Sequence, residues 1–258
     1  MLIIPKMPIR RRGAIDALID YDRDLVAEER RAVHTLQKSK VGAFPELVTP
    51  KGIDPKVESA KARRRLRPVT IIYTPLILAL AIFSFRSPHP AEAFGFVMLG
   101  IIVYTPVEYL IHRYLLHGVF PDEGGPIARI LHRLFDASHA DHHARPWDGM
   151  YMNGHVDTLW VGMVLVPLSF LAPYYTLPMF VATLFACYLL EEWLHYAMHF
   201  KHYKNRYFQY VRSHHLYHHS RQGAGLAYGM TSGIWDVILG TRDRPPEQQM
   251  SPVSGHRG

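Results

Sequence analysis

The sequence predicts an all-α integral membrane protein, with about four transmembrane helices in two hairpins capped by a cytosolic helical domain rich in histidine. Three observations lead there. Four apolar segments, residues 69–85, 93–111, 158–172 and 177–194, contain no Lys or Arg. Short links, "RSPHPAE" and "PYYT", join the first to the second and the third to the fourth. Every Lys and Arg except Arg86 falls outside the two hairpins, together with the main clusters of histidine.

Residues 1–68 read as a basic cytosolic region. Apolar residues from Ile15 to Leu36 recur at the spacing of one face of an amphipathic helix. The Pro- and Gly-containing stretch 39–60 reads as a linker. "KARRRLR" at 61–67 stands directly before the first apolar segment, where a basic run suits anionic lipid head groups. "MLIIPKMPIRRRG" lacks the apolar core of a cleavable signal peptide.

The apolar segments are slightly short for a span of about 20 residues, and neighbouring residues extend each by a turn. With the chain starting inside, both hairpin tips lie on the far side. The N-terminal region, residues 112–157 and residues 195–258 share the near side, which the positive-inside rule makes cytoplasmic. Residues 69–241 then form one membrane-embedded domain, and 242–258 a flexible tail. The net charge of +7 suits an anionic membrane surface better than nucleic acid in a chain with 48% hydrophobic residues. The single cysteine, Cys187, excludes an intrachain disulfide and a multi-thiolate metal site. A soluble bundle of four buried helices is the competing fold, and the charge asymmetry argues against it.

The chain has 17 histidines, and ten lie in four clusters on the predicted near side: His112 and His117; His139, His142 and His143; His195 and His199; His215, His218 and His219. Residues three or four apart share a helix face, so each cluster but the first can aim its rings together. His112 and His117, five apart, are about 140° apart around an ideal α-helix. They require a bend, an uncoiled end, or two different metals. Imidazole serves Fe, Zn, Cu and Ni. Ten imidazoles exceed the six sites of one octahedral ion, so the count fits two metals with up to five histidines each. The clusters are embedded among apolar and aromatic residues, unlike a low-complexity metal-scavenging tract. His214 has the wrong helical phase for a ligand, and His155 is a candidate supporting residue.

In this order, HxxxxH, HxxHH, HxxxH and HxxHH around two apolar hairpins resembles the integral-membrane fatty acid hydroxylase superfamily, which includes sterol desaturases and carotenoid hydroxylases. "EYLIHRYLLH" and "RYFQYVRSHHLYHHSRQGAGLAYGMTSGIWDVILGT" are similar to its fatty acid 2-hydroxylase branch. The resemblance covers roughly residues 70–241. It implies a di-iron, O2-dependent monooxygenase acting on a lipid acyl chain, with the ten histidines above as metal ligands. Zinc can replace iron in recombinant relatives. Eukaryotic members often carry a fused b-type cytochrome marked by HPGG. This chain has "SPHPAE" instead, so a separate donor, a ferredoxin or a b-type cytochrome with its reductase, is expected.

Neutral imidazoles bring no charge to a metal, so nearby carboxylates are expected to support them. Glu108 and Glu191 each stand four residues before a histidine, at His112 and His195, and Asp141 lies inside the second cluster. At least one is expected to accept an imidazole N–H. Tyr109, Tyr151, Trp193 and Trp235 fall where interfacial aromatics are found. Competing functions are oxidation of a sterol, a carotenoid or an amino-lipid head group, desaturation in place of hydroxylation, and metal transport. The absence of His, Asp and Glu from residues 69–85, 159–172 and 177–190 counts against transport.

Overall fold

The computed structural model describes residues 52–120, 124–152, 159–220 and 223–242. The expected helix at 13–38, His155 and the tail from 243 lie outside the described residues. The described residues are helical and contain no strand.

Helix α1, Pro55–Phe85, starts where the linker was expected. Asp54 caps it by accepting from Lys56 N–H at 2.8 Å, and Pro55 opens it without wasting a donor. The basic run 61–67 is thus part of the same helix as the apolar run after it, and the boundary expected at residue 68 falls inside that helix. Pro68 and Pro75 both lie inside this helix.

Helix α2, Pro90–Leu110, continues directly into a π-helical turn, Ile111–Leu116. Pro106 removes a donor from Ile102 carbonyl, and Thr105 Oγ1 replaces it at 3.0 Å. Helix α3, Pro126–Leu131, leads through a second π turn, His132–Asp136, into α4, Ala137–Ala144. Helix α5 is Leu159–Ser169, α6 is Leu177–Phe200, α7 is Arg206–His218 and α8 is Ile234–Ile238.

Among the described residues, three helices are long and apolar enough to cross a membrane: α1, α2 with its π turn, and α6. The third apolar segment, expected to span at 158–172, yields the eleven-residue α5, about 16 Å long and too short to cross alone. Ile71 on α1 is 70% exposed and Ile102 on α2 63%. Side chains of this kind on long apolar helices need lipid around them. The protein is an integral membrane protein.

Helix α6 is the central element, packed by α1, α2, α5 and α7. Val69, Tyr73 and Leu80 of α1 meet Val181, Ala182 and Phe185 of α6. Near the other end of α6, Ala62 and Leu66 pack with Tyr196, Met198, Phe208 and Met230. The hairpin tips meet at one end: Ser84 Oγ donates to Tyr174 carbonyl at 2.6 Å, and His89 stacks near Tyr175 at 4.5 Å.

The loop after α4 lies against α1. Gly149 N–H donates to Glu58 at 3.0 Å, and Arg65 donates to Met152 carbonyl at 2.7 Å. A Cβ at Gly149 would stand 2.0 Å from Glu58 carbonyl oxygen and 2.7 Å from Ala62 N, both immobile backbone. Gly149→Ala is therefore expected to destabilise the protein by about 1–3 kcal/mol, read as a lower melting temperature in detergent.

Candidate metal centre

The ten histidines singled out by spacing gather into two groups. One holds His112, His117, His139, His143 and His218, the other His142, His195, His199, His215 and His219, and within each the candidate ligand atoms lie within 4.8 Å of one another. The rings face each other through Nε2. Nearest Nε2···Nε2 distances are 2.8–3.2 Å in the first group and 2.9–3.2 Å in the second.

Helix geometry explains who joins whom. His195 and His199 are one turn apart on α6, and both point into the second group. On α4, His139 and His143 are one turn apart and share the first group, while His142, a step of about 100° away, enters the second. Helix α7 carries the mirror assignment: His215 and the capping residue His219 go to the second group, and His218 to the first. Each HxxHH cluster was expected to present one face, but it divides between the two groups.

His112 and His117 were expected to need a bend, an uncoiled end or separate metals. Instead they share the first group, and the helix stays wound. His117 N–H donates to His112 carbonyl at 3.1 Å, the i→i+5 bond of a π turn. The wider turn stacks residues five apart as an α-helix stacks residues four apart.

The donor set fits metal ions. Octahedral bonds of about 2.1 Å would put neighbouring nitrogens about 3 Å apart, close to the spacing found. Lone pairs aimed at one another at that distance repel, and a cation among them turns repulsion into coordination. Burial, then repulsion from neighbouring rings, holds His139, His143, His215, His218 and His219 well below the usual imidazole range. Burial brings His142 down to about 3. Neutral rings are the form that binds metal.

The three expected supporting carboxylates are engaged elsewhere. Glu108 accepts from Met230 N–H at 2.6 Å, Thr231 N–H at 2.8 Å and Thr231 Oγ1 at 2.6 Å. Glu191 accepts from the Tyr104 hydroxyl. Asp141 is exposed and pairs with Arg145 at 2.7 Å. Carbonyls fill the role instead. His112 Nδ1 donates to Tyr228 carbonyl at 2.5 Å, and His218 Nδ1 donates to Leu226 carbonyl at 2.6 Å. A proton on Nδ1 leaves the Nε2 lone pair free for a metal.

Sequence reasoning missed Asp236, which is fully buried. It accepts from Tyr228 N–H, Gly229 N–H, Thr241 Oγ1 and His214 Nε2 at 2.8–3.0 Å. Burial alone would raise its carboxyl, but the bonds from His214, Thr241 and Gly229 overcome that and hold it below its ordinary value. His214, outside both groups, has this partner. Tyr228, also missed, sets its ring 5.2–5.8 Å from those of His112, His117 and His218, and Trp147 stands 5.6 Å from His199. These aromatics wall the groups from water. Tyr109, expected at the interface, is buried and bonds to Thr241 Oγ1 at 2.8 Å. Only the recurrence of polar and aromatic residues through 228–241 hinted at these partners.

Residues 96–241, which hold every member of both groups, match the fatty acid hydroxylase family. The chain belongs to that family. It is 31% identical over 150 residues to the dihydroceramide fatty acyl 2-hydroxylase FAH2 of Arabidopsis thaliana, covering 56% of this chain and 59% of the relative. It is 28% identical over 196 residues to fatty acid 2-hydroxylase of Rattus norvegicus, covering 67% and 51%. It is 27% identical over 186 residues to the ceramide very long chain fatty acid hydroxylase scs7 of Schizosaccharomyces pombe, covering 67% and 49%. The chain thus spans about half to three fifths of the length of these relatives. A solved structure described as full length scs7p, with only the hydroxylase domain visible, shares the fold. Its TM-score is 0.58 at 23% identity, and the match covers 71% of this chain and 68% of that one.

Because the rings repel when nothing lies between them, metal removal should loosen this end of the protein. Exhaustive chelation is expected to lower the melting temperature in detergent, and restoring ferrous iron or zinc to recover it.

Proposed function

We propose that the protein is a membrane hydroxylase that inserts one oxygen atom of O2 into a C–H bond of a lipid acyl chain, most like a fatty acid 2-hydroxylase. The observation that carries this reading is the pair of five-imidazole groups at one end of apolar helices, eight rings buried and His117 and His143 half-buried, with their Nε2 atoms facing one another. His112, His117, His139, His143 and His218 would hold one iron, and His142, His195, His199, His215 and His219 the other; zinc fits the same nitrogens. When bound, such a pair supplies the oxidising power that side chains lack for an unactivated C–H bond.

The protein's own residues then have defined tasks. The imidazoles keep Nε2 available for the metals. Tyr228 and Trp147 exclude water from the rings. The exposed apolar faces of α1 and α2 set the protein in the lipid that holds the acyl chain. One oxygen atom enters the substrate and the other leaves as water, consuming two electrons and two protons. A ferredoxin or a b-type cytochrome with its reductase would supply the electrons.

In the membrane, this reading takes α5 and its flanks as a fourth, short membrane segment. It sets the histidine end at the cytoplasmic face, opposite the hairpin tips. The distribution of Lys and Arg, with only Arg86 between the segments of a hairpin, supports that orientation.

Lipid mass spectrometry on cells with and without the protein tests the assignment. Acyl fragments carrying one extra oxygen, placed at carbon 2 by fragmentation, are the expected result. His142→Ala is expected to reduce that product to background while the protein remains in the membrane fraction. Oxygen found on a sterol, a polyisoprenoid or a head group, with acyl chains unchanged, would overturn the substrate assignment.

A further inference from the structure

The loop 226–231 carries no Asp, Glu, His, Lys or Arg, yet its backbone is tied down on both sides. Six consecutive N–H groups have acceptors. Leu226 donates to Gly223 carbonyl and Ala227 to Thr241 carbonyl, both at 2.9 Å. Tyr228 and Gly229 donate to the two carboxylate oxygens of Asp236, and Met230 and Thr231 donate to Oε1 of Glu108. Ala227 sits at φ 59°, a strained value for a residue with a Cβ, so the surroundings impose the loop's course. A Cβ at Gly229 would stand 2.0 Å from Ser232 carbonyl oxygen, which leaves no room for another path.

The carbonyls point the other way, and two of them reach metal-binding imidazoles. Leu226 carbonyl takes the Nδ1 proton of His218, and Tyr228 carbonyl that of His112. Both rings belong to the His112 group. In the second group, the Nδ1 atoms of His195, His199, His215 and His219 meet no acceptor among the described residues, and His142 is held by the Tyr151 backbone, outside this loop. In the first group His139 Nδ1 likewise meets none, so the loop's two carbonyls are what sets that group apart.

We propose that the loop 226–231, clamped by Glu108 and Asp236, positions the metal of the His112 group alone and so makes the two metal sites unequal. This rests on the two-metal reading above. A carbonyl at Nδ1 fixes the tautomer, aims the ring and strengthens Nε2 as a donor; loss of such partners typically costs 10–100-fold in metal affinity. The His142 group has no comparable support from this loop. Its metal is the first to leave and that of the His112 group the last. Glu108 and Asp236 are positioning residues: they act through the loop and touch no ligand ring.

Metal retention by the purified full-length protein, loaded with iron or zinc and challenged with a chelator, tests this without reference to turnover. The wild type is expected to release metal in two phases, one equivalent each. Asp236→Asn keeps the side chain's shape but turns an NH2 group toward Tyr228 N–H or Gly229 N–H. It is expected to abolish the slow phase and preserve the fast one, while His195→Ala does the reverse. Thr231→Val, which deletes only the hydroxyl bonded to Glu108 Oε2 at 2.6 Å, is expected to speed the slow phase about tenfold. It decides the matter if Asp236→Asn fails to fold. A general loss of stability would shed both metals together. Parallel loss of both phases in Thr231→Val, two unchanged phases, or one uniform phase in the wild type would overturn the proposal. A wild type that takes up no metal would instead overturn the reading on which it rests.

Discussion

Ten imidazoles aimed at two small volumes form an arrangement that no protein adopts without help. Their lone pairs repel, their N–H groups need acceptors, and burial removes the water that would satisfy them. The helical architecture at this end of the molecule brings the rings together against that repulsion. Helix α6 delivers one pair of rings from the apolar bundle. Helices α4 and α7 deliver three each, and a π turn at the end of α2 delivers two more. The aromatic rings of Tyr228 and Trp147 close the gaps.

The two ends of the molecule follow different rules. Toward the hairpin tips the helices are apolar on nearly all sides, and nearer the histidine end of α2 the Ile102 carbonyl freed by Pro106 is satisfied within the helix by Thr105. Toward the histidine end the same helices become polar on their inner faces. Tyr196, on the last turns of α6, joins the two regimes. Its hydroxyl meets Ser59 at 2.8 Å and Arg63 at 3.3 Å on α1, one turn from a ring that faces the second group. The basic run of α1 thus also braces the helix that carries His195 and His199.

Spacing alone made the histidines legible, because i, i+3 and i, i+4 repeats survive in any helical context. Their division between two groups was not. In HxxHH the three rings span about 100°, close enough to read as one face and far enough to serve two centres. The five-residue gap from His112 to His117 announced a local irregularity, but sequence cannot choose between bending a helix and widening one turn. The apolar segment 158–172 has the hydropathy of a span, yet its helix ends at Ser169, after Pro167, and hydropathy does not register that stop. Glu108, Glu191 and Asp141 were marked by proximity along the chain. The acceptor of His112 lies on Tyr228, 116 residues along the chain, and no local pattern encodes that.

The divided HxxHH motifs have a mechanical consequence. Helices α4 and α7 each bridge the two groups with consecutive residues, His142–His143 and His218–His219. The gap between the groups is thereby set twice over by the covalent backbone, as rungs set the width of a ladder. Neither group can drift from the other unless a helical turn comes apart, so the interval is held constant even while the surrounding lipid and substrate come and go.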